Sequence, residues 1–207
     1  MGLRSKKSIY LFRHGETSWN AEGRIQGHHD IPLNDRGREQ ARRIVTPIRK
    51  LKVEAILTSD LSRAVETARI VAEPSAIPVF QEKRLREVHF GKLEGLDRAQ
   101  IEAKFGKSFS DGLRDHPMRD EHVAILGCES TEQVRTRANA GIREFFENQD
   151  HLDRIAISCH GGVIRRILQH AEGIEGFPPA IPNSAIFPLI LDLQSGRWRF
   201  LGFLPFS

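Results

Sequence analysis

The sequence has few cysteines, no long apolar segment and no long run of charge of one sign. Its cysteines, Cys128 and Cys159, are too few for a disulfide framework, which favours a reduced compartment. No apolar segment is long enough to span a bilayer, and the one that follows the first basic residues is too short for a secretory signal. These absences predict a soluble, cytoplasmic protein with no membrane partner.

The chain is basic, but its positive charges are dispersed. The net charge is +4 and the isoelectric point is about 9.3, a balance that can indicate a polyanionic partner. Lysine and arginine are nevertheless mixed with aspartate and glutamate throughout, whereas nucleic-acid binding usually needs a clustered basic face. We therefore expect no nucleic-acid partner and favour a small phosphorylated molecule.

Strand-like and helix-like apolar patterns alternate along the chain, as in α/β proteins. Short apolar runs at 9–12, 53–57 and 155–157 are typical of strands buried on both faces of a parallel sheet. Two later strands are expected at 185–193 and 198–203, joined as a hairpin. With 207 residues, of which 39% are hydrophobic, the chain can build one sizeable core. We predict an α/β three-layer sandwich with a mainly parallel central sheet flanked by helices.

One segment is expected to leave the sheet. Residues 85–127 lack a strand rhythm and contain one modest helix, at about 97–105, among glycine, proline and charged residues. We predict a single domain over 1–207, with a small, mostly helical, lid-like segment inserted at about 91–129 over the active site. Pro47 interrupts an earlier helical pattern, and the sequence leaves open whether it kinks that helix or ends it.

Chemically unusual residues follow three of the predicted strands. Arg13 and His14 come at the end of the first strand, Arg63 follows the second, and His160 follows the third. Because ligands gather at the carboxyl ends of parallel strands, we expect these residues to meet at one edge of the sheet. Two guanidiniums and two imidazoles in one place favour a site for a tetrahedral dianion, with a neutral imidazole nitrogen as a competent nucleophile.

Two of these residues lie at predicted helix starts, which also favours an anion. Arg63 falls in a first helical turn, where a cation opposes the helix dipole by roughly 0.3–1 kcal/mol, a cost that a bound anion would offset. Gly161 follows His160 where unpaired backbone N–H groups attract phosphate. A nucleophilic His14 must be neutral at its attacking nitrogen, so we expect its other nitrogen to donate to a backbone carbonyl.

Four ordered blocks resemble the histidine phosphatase superfamily, the phosphoglycerate-mutase-like proteins. They read LFRHGET at 11–17, TSDLSRAVETA at 58–68, LREVHFGKLEG at 85–95 and SCHGGVIR at 158–165. The sequence GCES at 127–130 resembles a Gly-Gly-Glu-Ser element in which cysteine replaces a glycine. Because the blocks occur in order across nearly the whole chain, the set is far more specific than a lone Arg-His-Gly.

The resemblance implies a role for each matching residue. His14 would attack phosphorus and become a phosphohistidine, His160 would act with it on the transferring group, and Glu87 would protonate the leaving oxygen and later activate water. The residues implied in phosphate or substrate binding are Arg13, Asn20, Gln26, Gly27, Arg63 and Gly161. No metal and no cofactor is implied, because cationic side chains can stabilise the equatorial oxygens in place of a metal.

The superfamily includes mutases as well as phosphatases. A mutase holds a doubly phosphorylated intermediate and draws extra cations from an insertion with paired arginines and prolines, a pattern that residues 112–117 do not match. Gly162 and Val163 also resemble the phosphatase branch. We predict a phosphomonoester hydrolase for a small phosphorylated metabolite. The alternatives are cofactor-dependent phosphotransfer of the phosphoglycerate mutase type, which is isomerase chemistry, and a non-catalytic sensor of a phosphorylated ligand. The physiological substrate and the oligomeric state, a homodimer included, stay open.

One further motif, His28-His29-Asp30, invites interpretation as a set of metal ligands. Adjacent histidines on a loop rarely converge on one ion, so the sequence favours a solvated loop here.

Overall fold

In a computed structural model that describes residues 5–115, 123, 125–174 and 181–202, the chain forms a seven-stranded sheet with helices on both faces. The strands are β1 (Lys6–Arg13), β2 (Ala55–Thr58), β3 (Val79–Gln81), β4 (Arg154–Cys159), β5 (Ala171–Glu172), β6 (Ile186–Asp192) and β7 (Trp198–Phe200). Their order is β3-β2-β4-β1-β6-β7-β5, and every neighbouring pair is parallel except the two that β6 makes. The predicted mainly parallel sheet and the β6–β7 hairpin are confirmed.

The helices of the described residues lie between these strands. They are α1 (Ser18–Ala21), α2 (Asp35–Arg43), α3 (Val45–Lys50), α4 (Ser62–Ala72), α5 (Arg98–Phe105), α6 (Lys107–Asp115), α7 (Thr131–Asn148) and α8 (Gly161–Leu168). Short 3-10 turns cover Glu73–Ser75, Lys83–Leu85 and Gly91–Leu93. Within this described part of the chain, no helix has the length and apolar character that a membrane crossing requires.

The sequence left open whether Pro47 kinks or ends its helix, and the structure shows which of the two it does. Pro47 ends the earlier helix: it has no N–H to give to the carbonyl of Arg43, where α2 stops, and it lies in the first turn of α3.

Only one helix was predicted in the inserted segment, and this was wrong, because α6 follows α5 after Gly106 at φ +88°. The sequence of α6 contains two serines and a glycine, weak helix formers that hid it. Residues 116–122 and 124 of the predicted insertion lie outside the described residues.

The core has two layers because successive strand residues point to opposite faces of the sheet. Ile9, Leu11 and Ile157 pack on one face with α7 and α8. Phe12 and Ala156 pack on the other face with α3 and α4. These two layers and the sheet make the three-layer sandwich that the alternating pattern predicted.

The strand register aligns the carboxyl ends of β1, β2 and β4 at the same edge of the sheet. Arg13 pairs with Cys159 across β1 and β4, and Thr58 pairs with Ser158 across β2 and β4. The next residue of each strand therefore emerges at the same edge. The backbone N–H of His14 donates to the Cys159 carbonyl at 3.0 Å, which carries this alignment one residue beyond the sheet.

Candidate active site

Two histidine rings lie side by side at the carboxyl edge of the sheet. The ring centroids of His14 and His160 are 5.1 Å apart, and the residues are 2% and 0% exposed. Nδ1 of His14 lies 2.6 Å from the carbonyl oxygen of Gly15. Because a carbonyl can only accept, Nδ1 carries the proton and Nε2 keeps its lone pair. The expected backbone bond is present, and it leaves the nitrogen that a nucleophile needs.

Two arginines flank the histidine pair, and each is fixed through its terminal nitrogens. Arg63 is fully buried and donates from Nη1 to the carbonyl of His29 at 2.7 Å and from Nη2 to that of Gly27 at 2.9 Å. Arg13 donates from Nη1 to the carbonyl of Ile181 at 2.5 Å. Burial lowers the pKa of Arg63 to about 10, so this guanidinium is still charged at neutral pH.

Burial, together with the neighbouring positive charges, keeps both histidines neutral. Burial holds the pKa of His14 well below its ordinary value, and the positive charges of Arg13 and Arg63 lower it further. The pKa of His160 is lowered in the same way, by burial first and then by Arg63, His14 and Arg13. Both imidazoles are therefore uncharged at neutral pH, the form in which His14 can act as a nucleophile.

Polar atoms of these same residues are left without partners. Nε of Arg13, Nε of Arg63 and Nδ1 of His160 are buried and form no hydrogen bond within the described protein. A buried donor without a partner costs about 1–3 kcal/mol, and native proteins rarely leave several together. A ligand that presents several acceptor oxygens, as a phosphoryl group does, would satisfy both guanidinium N–H groups beside the His14 ring, and Nδ1 of His160 as well when that nitrogen carries the proton.

Glu87 lies beside these cations, held by backbone groups. Its Oε1 accepts from the N–H of Val88 at 2.8 Å, and its Oε2 accepts from the N–H of Gly162 at 3.1 Å. Burial lowers the pKa of Arg13 and Arg63, and the charge of Glu87 opposes that shift in both. The structure thus brings the predicted acid–base residue to the same cluster as the two arginines and the two histidines.

An arginine that the sequence analysis did not single out holds the chain around Glu87. Arg137 on α7 donates to the carbonyls of Arg84, Arg86 and Glu87 at 2.6, 2.7 and 2.9 Å. Its guanidinium is in turn bound by both carboxylate oxygens of Glu129, at 2.7 and 2.8 Å. Glu129 belongs to the GCES element, so the family resemblance was the signal that could have drawn attention to this support.

The solvated-loop interpretation of residues 28–30 was wrong for His28. The ring of His28 is half-buried, and its Nε2 donates to the carbonyl of Glu87 at 2.7 Å. The same ring stacks on His89 at 5.1 Å, and the His28 N–H donates to Glu94 at 3.2 Å. His29 and Asp30 are exposed as predicted. The loop therefore braces the backbone of the predicted acid, a long-range contact that no local pattern reveals.

The other residues that were predicted to bind phosphate or substrate lie around the two histidines and two arginines, and they differ in which of their polar atoms already have partners. Asn20 uses Oδ1 to accept from the backbone and hydroxyl of Thr17, so the part of its side chain that can still bind a ligand is the amide donor. Gln26 is buried, and its Oε1 has no partner among the described residues. The carbonyl of Gly27 binds Arg63, as described above. A Cβ added to Gly161 would touch Nε of Arg13 at 3.5 Å, so this helix start lies against the guanidinium.

The loop after β1 is held close to α2 by two glycines. A Cβ at Gly37 would lie 2.7 Å from the backbone nitrogen of Glu16, and one at Gly15 would lie 2.7 Å from the carbonyl carbon of Gly37. Thr67 accepts the N–H of Gly15 at 3.1 Å. The peptide that orients the His14 ring is therefore fixed from two sides.

In the described part of the chain, no three His, Cys, Asp or Glu side chains are grouped so that they could hold a metal ion. The two cysteines are buried free thiols, and burial raises the pKa of Cys128 to about 11. Cys159 is fully buried in the apolar cluster that packs against α7 and α8, which agrees with its interpretation as a small packing residue.

Known proteins resemble this chain in sequence and in fold. A family model described as the histidine phosphatase superfamily (branch 1) matches residues 9–203. A phosphoglycerate mutase-like protein 4 from Arabidopsis thaliana is 37% identical over 168 residues, which are 79% of this chain and 70% of the relative. A probable phosphoglycerate mutase from Salmonella paratyphi A is 35% identical over 200 residues, 95% of this chain and 89% of the relative. The solved structure of a mycobacterial glucosyl-3-phosphoglycerate phosphatase matches with a TM-score of 0.81 at 26% identity, covering 96% of this chain and 98% of that one.

Proposed function

Because the chain belongs to the histidine phosphatase superfamily, we propose that it hydrolyses the phosphomonoester of a small metabolite through a phosphohistidine on His14. The observation that carries the proposal is the group of buried, unpartnered polar atoms of Arg13, Arg63 and His160 beside a neutral imidazole. These atoms suit the equatorial oxygens of a transferring phosphoryl group, whose charge they would stabilise without reorganising.

In the first step, the lone pair of His14 Nε2 forms a bond to phosphorus while the ester P–O bond breaks. The leaving oxygen takes the electron pair of that bond and a proton from Glu87, and the alcohol departs. The backbone bond between His14 Nδ1 and Gly15 supports this role, because it fixes the tautomer and the direction of the attacking nitrogen.

In the second step, water attacks the phosphohistidine and Glu87 accepts its proton. The P–N bond breaks, its electron pair returns to Nε2, and inorganic phosphate leaves. One carboxyl group serves both steps because the first leaves it ionised and the second restores its proton. In this proposal Asn20 and the Gly161 N–H assist the arginines on the phosphoryl oxygens, and the acceptor oxygen of Gln26 faces the substrate.

Hydrolysis is tested by release of inorganic phosphate from p-nitrophenyl phosphate, with and without a chelator. We expect turnover in both conditions, and loss of turnover and of acid-labile phosphohistidine in His14→Ala. Inactivation by the chelator would contradict metal independence. Full turnover by His14→Ala would contradict the covalent step. A non-catalytic sensor would instead bind phosphate without turnover in the wild type and keep most of that affinity in His14→Ala, since both arginines remain.

A mutase is the second candidate, because the sequence relatives bear phosphoglycerate mutase names. The sequence argument against it rests partly on residues 112–117, whose side chains lie outside the described residues, and partly on the resemblance of Gly162 and Val163 to the phosphatase branch. The two activities differ in their products. Interconversion of the isomers of phosphoglycerate without net release of inorganic phosphate would establish the mutase, whereas a phosphatase should release phosphate from p-nitrophenyl phosphate and should not interconvert the isomers.

A further inference from the structure

The two ring nitrogens of His160 have different surroundings. Nε2 lies 2.9 Å from the hydroxyl oxygen of Ser59, and both residues are fully buried. Nδ1 is also buried, but it has no hydrogen-bond partner within the described protein. A neutral imidazole carries one proton, so the question is which of these two nitrogens holds it.

The hydroxyl of Ser59 answers this question. A hydroxyl has one proton to donate and two lone pairs that accept. One lone pair accepts the N–H of Leu61 at 3.3 Å, where the chain turns from β2 into α4. Among the described residues, the acceptor within reach of the hydroxyl proton is Nε2 of His160. If Nε2 carried the proton instead, the hydroxyl proton and the bare Nδ1 would both be buried without a partner. The Nδ1–H form leaves only one unpartnered group, an N–H for which a phosphoryl oxygen can be the acceptor.

We propose that Ser59 donates to Nε2 of His160 and thereby fixes the ring as the Nδ1–H tautomer, so that a donor and not a lone pair faces the phosphoryl group. This makes Ser59 a positioning residue, acting through His160. Its effect on turnover rests on the proposed function, but the tautomer does not.

The choice of tautomer matters because the two forms have opposite effects on an anion. The Nδ1–H form adds a third donor to those of Arg13 and Arg63 around the transferring group. The other form would present a lone pair to the phosphoryl oxygens and repel them. A donor that is fixed in place before the charge develops is the arrangement that stabilises transition states most effectively.

The tautomer is measured directly by ¹⁵N NMR of the wild-type protein labelled at histidine, near neutral pH. The resonances of His160 are identified by their absence from His160→Gln. We expect Nδ1 to give the shift and the one-bond proton coupling of a protonated nitrogen, and Nε2 to give the shift of an acceptor. A protonated Nε2 with a bare Nδ1 would overturn the proposal, and this measurement requires no Ser59 variant to fold.

The functional effect is measured with Ser59→Ala, and Ser158→Ala is its matched control. Ser158 is also a fully buried serine at a strand end, but the bond that its hydroxyl donates goes to the backbone carbonyl of Ala64 at 2.9 Å and not to an imidazole. In Ser59→Ala we expect a mixture of His160 tautomers and about a tenfold rise in the inhibition constant of inorganic phosphate, with a similar fall in kcat/KM. Ser158→Ala should change these less than about twofold while losing comparable thermal stability.

The outcomes separate this proposal from the proposed function. Wild-type phosphate affinity and a single unchanged tautomer in Ser59→Ala would overturn it, as would equal losses in the two serine variants. A protein that shows the Nδ1–H tautomer and binds phosphate but never releases it from an ester would contradict the proposed hydrolysis, and would leave the role of Ser59 in place.

Discussion

The replacement of Gly162 by alanine should separate catalysis from stability. Gly162 lies in the first turn of α8, where its N–H binds Oε2 of Glu87. An added Cβ would overlap Oε1 of Glu87, and would lie 3.1 Å from the carboxyl carbon and 2.7 Å from Cγ2 of Val88. Non-bonded carbons prefer about 3.5–4.0 Å, so both side chains must move by about 1 Å.

This displacement should change the free energy of unfolding only slightly but should lower the catalytic rate strongly. The groups that must move are the ends of side chains, and alanine is about 0.5–1 kcal/mol more favourable than glycine inside a helix. We therefore expect the free energy of unfolding to change by less than about 2 kcal/mol. A misplacement of about 1 Å in a reacting group can lower the rate about 10²-fold. Gly162→Ala should fold normally and lose about this much activity.

The choice of leaving group identifies the step that is lost. An alkyl phosphate needs its departing oxygen protonated, whereas p-nitrophenolate leaves readily without a proton. The fall in kcat/KM of Gly162→Ala should therefore be much larger with an alkyl phosphate than with p-nitrophenyl phosphate. Glu87→Gln should show the same difference. Because the two changes act on one group, adding Glu87→Gln to Gly162→Ala should cost little more.

Three results would refute this reasoning. Wild-type activity in Gly162→Ala would mean that the carboxylate position is unimportant. An equal loss of kcat/KM, which reports the first step alone, with both leaving groups would mean that Glu87 does not act as the acid. Additive losses in the double variant would mean that the added methyl group acts elsewhere, for example on the N–H groups at the start of α8.

Three other changes test the surroundings of the site. The buried histidines of the site have pKa values depressed below those of the unfolded chain, so stability should fall as pH drops below about 6.5, by about 1.4 kcal/mol per pH unit for each ring. Urea denaturation between pH 7.5 and 5 should show this slope, and replacing one ring by glutamine should roughly halve it. His28→Ala should lower kcat about tenfold, because the backbone of Glu87 loses the hydrogen bond from the ring. His28→Gln should keep most of the activity, because its amide can donate from a similar place. Equal losses of kcat in the two variants would contradict the role of this hydrogen bond. Gly37→Ala should destabilise the fold by about 3 kcal/mol or more, because its Cβ would meet the backbone of Glu16 and not a movable side chain. An unchanged midpoint of urea denaturation would show that this loop can shift to make room.

The elements and the polar residues at their ends could be predicted from local sequence. The apolar run before His14 and the one before His160 each mark a buried strand, and a parallel sheet brings such strand ends together without further information. The supporting contacts could not be predicted in this way. His28 and Arg137 reach the carbonyl of Glu87 across 59 and 50 residues of sequence, and nothing in their own neighbourhoods indicates that distance. Helix α6 was missed because its two serines and its glycine give it a weak local helix propensity, whereas the packing of its Phe109 on the cluster that contains Leu93 and Ile101 is a tertiary contact.

The site residues share one arrangement, which explains how three buried polar side chains and the partly buried Arg13 can lie together. Each is fixed by the protein through one part and leaves another part for a ligand. His14 is held through Nδ1, Arg13 and Arg63 through their terminal nitrogens, and His160 through Nε2. The fixed parts bind backbone carbonyls and one hydroxyl, which keep the groups oriented without neutralising the two guanidiniums. A carboxylate in those places would satisfy the arginines within the protein and weaken their hold on phosphate. Neutral acceptors therefore hold the cations in place and leave their charge for the substrate, which is the electrostatic preorganisation that phosphoryl transfer needs.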